Sequence, residues 1–261
     1  MTEKIIETQE ISWGDFWSGV SAEEYLSRLT LHDRRLAGVL LSYLREGGGS
    51  KDRRVLELGC VYSKNLFFLP GRTGPEIRYF GLDTCIDPAL RTGRTNPHRN
   101  VNIVVGDMFD CPFKAETMEM IISFGLIEHF PRPDKFLEAC FHLLCPGGRL
   151  VVGYPSYTGL TGMIQRRVNP SALEYHFSLP AAGMAAELGS SGFTAVEAGY
   201  FGMFNPNMID WGRGRLRKLL MYSAFAAIRP LEWLSRLTGK QFRSEGFSSY
   251  VLAGGIKPAG R

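Results

Sequence analysis

The stretch from Arg54 to Ser63, Arg-Val-Leu-Glu-Leu-Gly-Cys-Val-Tyr-Ser, constrains this chain more than any other. Val55, Leu56 and Leu58 form a short apolar run that reads as a buried strand, and Gly59 ends it at once. A strand that delivers its carboxyl end into a small-residue turn, with a helix behind it, builds a nucleotide crevice in an open α/β sheet. Glycine suits that turn because it accepts backbone angles other residues avoid and lets a ligand approach the main chain. Many folds own one such turn, so its meaning depends on the strands carboxyl-terminal to it.

Short apolar runs there alternate with helical stretches. Strands are predicted at Val55–Leu58, Ile77–Leu82, Val101–Val105, Met120–Phe124 and Leu150–Tyr154, then at Phe193–Tyr200 and Ser249–Ile256. The clearest helix runs from Pro133 to Leu144, with Phe136, Leu137, Cys140, Leu143 and Leu144 on one face. Pro133-Asp134 starts it and Cys145-Pro146-Gly147-Gly148 stops it. Another helix is expected near Leu179–Leu188. Buried strands separated by crossovers predict an α/β fold, a Rossmann-like, mainly parallel sheet with helices on both faces.

The chain divides into three segments on this pattern. Residues 1–49 form a helical preface, with Ser21 as a helix cap, apolar residues Leu36, Val39, Leu40, Tyr43 and Leu44 at helical spacing, and an aromatic cluster of Trp13, Phe16, Trp17 and Tyr25. Those rings either dock the preface on the sheet or cover the ligand. Gly47-Gly48-Gly49-Ser50 leads into a main domain at 50–200 and 246–261, interrupted by an insertion at 201–245. The five scattered cysteines, without CxxC spacing, read as reduced core thiols. With a polar start and no long apolar run, the chain is expected to be cytoplasmic.

Ligands of an open parallel sheet sit beyond the carboxyl ends of its strands. Those ends here read Glu57-Leu58-Gly59-Cys60, Gly81-Leu82-Asp83, Gly106-Asp107-Met108-Phe109 and Ser123-Phe124-Gly125-Leu126-Ile127-Glu128-His129. A carboxylate at Asp83 is placed to accept from a ribose diol. Asp107 is a candidate acceptor for an exocyclic amine, with Met108 or Phe109 against a purine face. The bland alternative for either aspartate is an ordinary turn cap.

These motifs, with Leu143-Leu144-Cys145-Pro146-Gly147-Gly148-Arg149-Leu150, resemble the class I S-adenosylmethionine-dependent methyltransferases, particularly the small-molecule group typified by ubiquinone-biosynthesis enzymes. The resemblance covers roughly residues 50–200 and the final strand. It implies a seven-stranded sheet whose last strand runs antiparallel between strands five and six. It implies S-adenosyl-L-methionine as cofactor, with Glu57, Gly59 and Cys60 shaping the loop around its methionine part, Asp83 on ribose, Asp107 with Met108 on adenine, and Ser123 with Phe124 beside them. The family pattern Gly-x-Gly-x-Gly is broken here, because Val61 and Ser63 stand at the later glycine positions with Tyr62 between them. A valine there is expected to cost the turn its freedom at positive φ. That departure keeps open a cross-class alternative, a non-catalytic binding protein that retains the fold. A nicotinamide oxidoreductase is disfavoured, since it needs Gly-x-Gly-x-x-Gly for its pyrophosphate.

Methyl transfer to a hydroxyl or amine requires a proton acceptor, and histidine near neutrality suits that role. His129 and His176 are the candidates, with Tyr154 as an orienting group. No metal is expected, because Gly125 stands where relatives that bind a divalent ion carry a first glutamate.

Net charge is +4, but its distribution is uneven. Between Trp211 and Glu245 eight Lys/Arg face two acids, giving +6 and leaving about −2 for the remainder. There Leu219-Leu220-Met221-Tyr222-Ser223-Ala224-Phe225-Ala226-Ala227-Ile228 reads as a helix apolar all round, broken at Arg229-Pro230 before a second amphipathic stretch. Such a surface must be covered by the protein's own pocket or core, by a membrane surface along 211–237 presenting a lipid- or glycan-linked acceptor, or by a second subunit. Nucleic acid is not expected, since the basic residues interleave with Leu, Met and Ala and not with stacking rings.

Overall fold

A computed structural model describes residues 21, 25–26, 29–46, 52–174, 176–177, 179–212, 214–240 and 242–259. Trp13, Phe16, Trp17 and Gly47–Ser50 lie outside the described residues. Seven strands form one sheet in the order β3-β2-β1-β4-β5-β7-β6, mostly parallel with β7 antiparallel. The chain divides into two compact units, residues 1–112 and 113–261.

In the first unit, helix α1 (Leu31–Glu46) buries Leu36, Ala37, Leu40 and Leu44. Its cap is Thr30, while Ser21 stands earlier, its carbonyl accepting from the Tyr25 N–H at 3.0 Å. The Asp33 carboxylate accepts from the Thr30 N–H at 2.7 Å, and Thr30 Oγ1 accepts from the Asp33 N–H at 3.2 Å. This reciprocal pairing satisfies two of the donors a helix start leaves orphaned. Strand β1 (Arg53–Leu58) is buried over its last four residues and runs parallel to β2 (Ile77–Asp83), which runs parallel to β3 (Val101–Val105). Register pairs Leu58 with Leu82 and Asp83 with Val105, so the strands end close together. Helix α2 (Lys64–Phe68) follows the first turn, capped by Ser63 Oγ accepting from the Leu66 N–H at 3.0 Å. Helix α3 (Ile86–Thr95) crosses from β2 to β3.

In the second unit, β4 (Met118–Phe124) runs parallel to β5 (Leu144–Pro155), and helix α4 (Pro133–Leu143) joins them. Strand β5 starts six residues before the expected Leu150. The predicted stop does end the helix, yet Cys145–Gly148 then continues as an irregularity within the strand, with the register shifting between Met118↔Leu144 and Met120↔Arg149. Gly147 takes a left-handed φ of 80° there and its N–H donates to the Lys257 carbonyl at 2.9 Å. After helices α5 (Leu160–Val168) and α6 (Ala181–Ser190), β7 (Tyr250–Ile256) lies antiparallel between β5 and β6 (Thr194–Phe201).

The insertion also departs from the expected two helices. Helix α7 (Arg215–Thr238) runs unbroken through Pro230. The ring stands on the exposed face, where water can satisfy the carbonyl it leaves without a donor. Nor is α7 covered all round: Ile228 packs with Phe204 and Ile209, flanked by Leu160, Ile164, Ala224 and Leu231, while the opposite face is exposed.

Candidate functional site

The first unit gathers the residues expected to hold a nucleoside. Gly59 ends β1 with φ 73°, and its N–H donates to the Leu82 carbonyl at 3.0 Å, tying the turn to the end of β2. The Asp83 carboxylate spans two loops: Oδ2 accepts the Val61 N–H at 3.1 Å and Oδ1 accepts the Cys85 N–H at 2.9 Å. Burial raises its pKa, opposed by those N–H groups. Each carboxylate oxygen keeps a further lone pair for a hydroxyl donor, so the group fits a ribose diol.

Glu57 is buried beneath the loop, one oxygen accepting from Ser63 Oγ and the other from Asn65 Nδ2 at 3.0 Å. Burial pushes it up to about 7 against those hydrogen bonds. It therefore fixes the loop through the start of α2. Cys60 is fully buried with its side chain over Gly81, where an added Cβ would lie 2.7 Å from the sulfur. Burial, then the neighbouring Asp83 and Glu57 carboxylates, hold its thiol neutral. What remains of Cys60 for a cofactor is main chain.

The strained residue of this loop is not Val61. Tyr62 takes the left-handed φ, 50°, with its N–H donating to Thr92 Oγ1 at 2.9 Å. Its ring is buried with Leu26 and Val61, and Phe67 and Cys85 pack against that cluster. Burying a large ring compensates a conformation costing about 1–2 kcal/mol in a non-glycine residue. Lys64 Nζ lies 4.6 Å over the Tyr25 ring, so the described end of the preface does dock on this loop.

Asp107 is exposed and its Oδ1 accepts the Phe109 N–H at 2.9 Å, an Asx turn that leaves Oδ2 facing outward. Met108 is buried and Phe109 exposed.

The second unit brings His129 and His176 together. Ser123, buried, and Phe124, half-buried, end β4. Gly125 turns with φ 72°, its N–H donating to the Gly153 carbonyl at 2.9 Å, and a short 3-10 turn carries Ile127–His129. The Glu128 carbonyl accepts the Phe177 N–H at 2.7 Å, which holds the 176–177 segment beside that turn. The His129 and His176 ring centroids are 4.8 Å apart. His176 Nδ1 lies 2.6 Å from the Ala172 carbonyl, a bond that needs the proton on Nδ1 and leaves the lone pair on Nε2. Burial lowers its pKa, only partly offset by that carbonyl, so the ring is neutral at pH 7.

Tyr154 is committed elsewhere, its hydroxyl donating to the Leu179 carbonyl at 3.1 Å in the core. Tyr157 stands edge-on to His176 instead, with centroids 5.4 Å apart, and burial pushes its pKa up to about 12. No sequence signal separated those two tyrosines, because β5 continues past its expected end.

Glu128 completes the cluster. Its carboxyl is buried, Oε2 meets no hydrogen-bond partner among the described residues, and burial pushes its pKa up to about 8. One ligand atom from each of Glu128, His129 and His176 lies within 4.8 Å of the others, so these three could also receive a divalent cation. Gly125 removes a donor that would be near in sequence, but the fold brings His176 in from a distant one.

Residues 56–152 match a family model described as a methyltransferase domain. Among curated relatives, the "Uncharacterized 37.1 kDa protein in transposon TN4556" of Streptomyces fradiae is 30% identical over 152 residues, covering 56% of this chain and 43% of its own. A "Probable S-adenosylmethionine-dependent methyltransferase" of Mycolicibacterium smegmatis is 30% identical over 106 residues, covering 40% and 38%. The chain thus spans less than half the length of both relatives. Phosphoethanolamine N-methyltransferase 2 of Haemonchus contortus, solved in complex with S-adenosyl-L-methionine, superposes with TM-score 0.57 at 14% identity over 92% of this chain and 60% of its own, a likeness of fold. Residues 56–152 thus match a methyltransferase domain, and they lie within a Rossmann-like, seven-stranded, mostly parallel sheet with an antiparallel β7.

Proposed function

We propose that this protein transfers a methyl group from S-adenosylmethionine to the hydroxyl or amine of a small, lipid- or glycan-linked acceptor. The observation that carries the reading is Asp83, whose carboxylate joins the turn after Gly59 to the loop after β2 and keeps lone pairs for a ribose diol. Glu57 shapes the methionine side of the site from beneath, Asp107 offers Oδ2 to an adenine amine, and Met108 or Phe109 lies against its ring. When bound, S-adenosylmethionine supplies an electrophilic methyl carbon on a sulfonium sulfur and departs as the neutral thioether.

On the acceptor side, His176 takes the proton. Its Nδ1–H is held by Ala172, so Nε2 is free to accept, and burial keeps the ring uncharged beforehand. His129 and Tyr157 pack against the His176 ring and fix its plane. General-base assistance of this kind contributes roughly 10²–10⁴-fold.

The test begins with calorimetric titration of S-adenosylmethionine and S-adenosylhomocysteine into the full chain, where binding of neither would end the proposal. Radiolabelled methyl transfer into lipid and aqueous extract fractions then separates an enzyme from a binding protein that keeps the fold. His176→Ala should lose roughly 10²-fold or more in turnover at unchanged cofactor affinity. Undiminished turnover would remove it as base. Turnover that appears only with added Mn²⁺ or Zn²⁺, and is lost to a chelator, would recast Glu128, His129 and His176 as metal ligands.

A further inference from the structure

Helix α7 displays apolar side chains that are exposed among the described residues. Leu216 is 70% exposed, Leu219 61%, Tyr222 63%, Trp233 65% and Leu237 64%. These are not scattered residues. Leu216, Leu219, Leu220, Trp233, Leu234 and Leu237 recur at three- and four-residue steps, so they share one stripe along a helix about 36 Å long. The residues between Leu220 and Trp233 on that stripe, Ser223, Ala226, Ala227 and Pro230, are small or uncharged and also exposed. The opposite face is the one that packs, through Ile228 and its neighbours.

Charge runs beside the stripe. Lys218, Arg229 and Arg236, all exposed, are spaced eleven and seven residues apart, close to whole turns, and line one flank of it. Arg215 stands at the amino end, and the helix holds one acid, Glu232. A face that is apolar along its length, edged by cations and carrying an outward Trp, has the physical form of a helix lying in a membrane interface. Large contiguous apolar patches are rare on surfaces that stay in water. Among the described residues no helix is long and apolar enough to cross a membrane, so α7 lies on the surface and does not span.

We propose that α7 docks this protein on a membrane surface bearing anionic lipid headgroups, with Leu216, Leu219, Leu220, Trp233, Leu234 and Leu237 entering the headgroup–acyl boundary and Lys218, Arg229 and Arg236 meeting the headgroups. The charge pattern selects this occupant over a second copy of the chain, since an antiparallel two-fold pairing of these stripes would bring flanks of like charge together and a parallel one would offer the cations no row of acids, Glu232 being the one acid of the helix. The helix and the candidate acceptor site belong to the same unit, and α5 follows closely in sequence from the site to pack against the helix. Leu160 and Ile164 of α5, which pack against its inner cluster, closely follow Tyr157, the residue edge-on to His176. A membrane-resident acceptor is therefore the substrate class this helix favours. That consequence rests on the methyl-transfer reading, whereas the docking itself does not.

Flotation of the full chain with vesicles tests the docking. Binding is expected to equimolar phosphatidylglycerol and phosphatidylcholine, to fall as salt is raised, and to be far weaker on phosphatidylcholine alone. The triple variant Lys218→Glu, Arg229→Glu, Arg236→Glu should lose roughly a hundredfold in partitioning, from about one headgroup interaction per basic residue. Leu219→Ser with Trp233→Ser should lose binding at every salt concentration. Both variants change exposed residues, so S-adenosylmethionine affinity should match the parent, which also verifies folding. No flotation with anionic vesicles, or equal binding to both vesicle types, would overturn the proposal. So would a concentration-dependent dimer, seen by sedimentation, that Leu219→Ser with Trp233→Ser dissociates. Flotation without cofactor binding would leave the docking standing and remove the methyl-transfer reading.

Discussion

Replacing Asp83 with asparagine separates the two jobs assigned to this carboxylate. The change keeps the shape but leaves one acceptor oxygen where there were two. One of the two bonded N–H groups, Val61 at 3.1 Å or Cys85 at 2.9 Å, then faces an amide N–H₂ and loses its acceptor. Hydrogen bonds to a charged acceptor contribute about 1.5–3 kcal/mol each. Burial works the other way, since it already disfavours the Asp83 charge and the neutral amide escapes that penalty. The unliganded protein should therefore lose only about 1–2 kcal/mol, toward the lower end of that range. A ribose diol, in contrast, loses its charged acceptor outright, and its affinity should fall roughly ten- to a hundredfold at one tenfold step per 1.4 kcal/mol. Calorimetric titration with S-adenosylhomocysteine reads the second effect and urea denaturation without ligand the first. If affinity stays within about threefold while stability falls, Asp83 is a loop brace and the ribose assignment is wrong.

Two further outcomes are expected. Glu57 has its folded pKa raised from 4.5 to about 7 by burial, so between those values the folded state holds a proton the unfolded chain has released. Stability should fall as pH rises through that window, by about 3 kcal/mol from this group, and level off above it. Glu57→Gln should flatten that slope in denaturation curves at pH 5 and pH 8, with Glu128 accounting for what remains; an unchanged slope would mean Glu57 does not carry the burial penalty. Val61→Gly, which on sequence grounds restores the family loop, should cost about 2–3 kcal/mol and leave cofactor affinity unchanged, because Val61 does not hold the left-handed conformation and packs with Leu26 and Tyr62. Tighter binding in that variant would return the strain to Val61.

What the sequence determined by itself was the order of strands and the chemistry at their ends. Short continuous apolar runs, and helices with period three to four, are local signals, and Gly59, Gly81-Leu82-Asp83 and Gly106-Asp107 mark where the strands stop. The antiparallel β7 was legible only through the family likeness, because pairing direction is a property of partners distant along the chain. Local spacing failed where two demands met at one residue. Val61 looked like the broken glycine until the backbone showed that the next residue, Tyr62, carries the positive φ, offset by burying its ring. Tyr154 looked available until its hydroxyl was found on Leu179. His176 joins Glu128 and His129 through one backbone bond across 49 residues, from the Phe177 N–H to the Glu128 carbonyl, which no periodicity encodes. The helix at Arg215–Thr238 was visible as an apolar, basic segment, but whether its surface is core or solvent-facing depends on which side the fold covers. Tertiary packing covers one face and, among the described residues, leaves the other exposed with its leucines and its flank of cations.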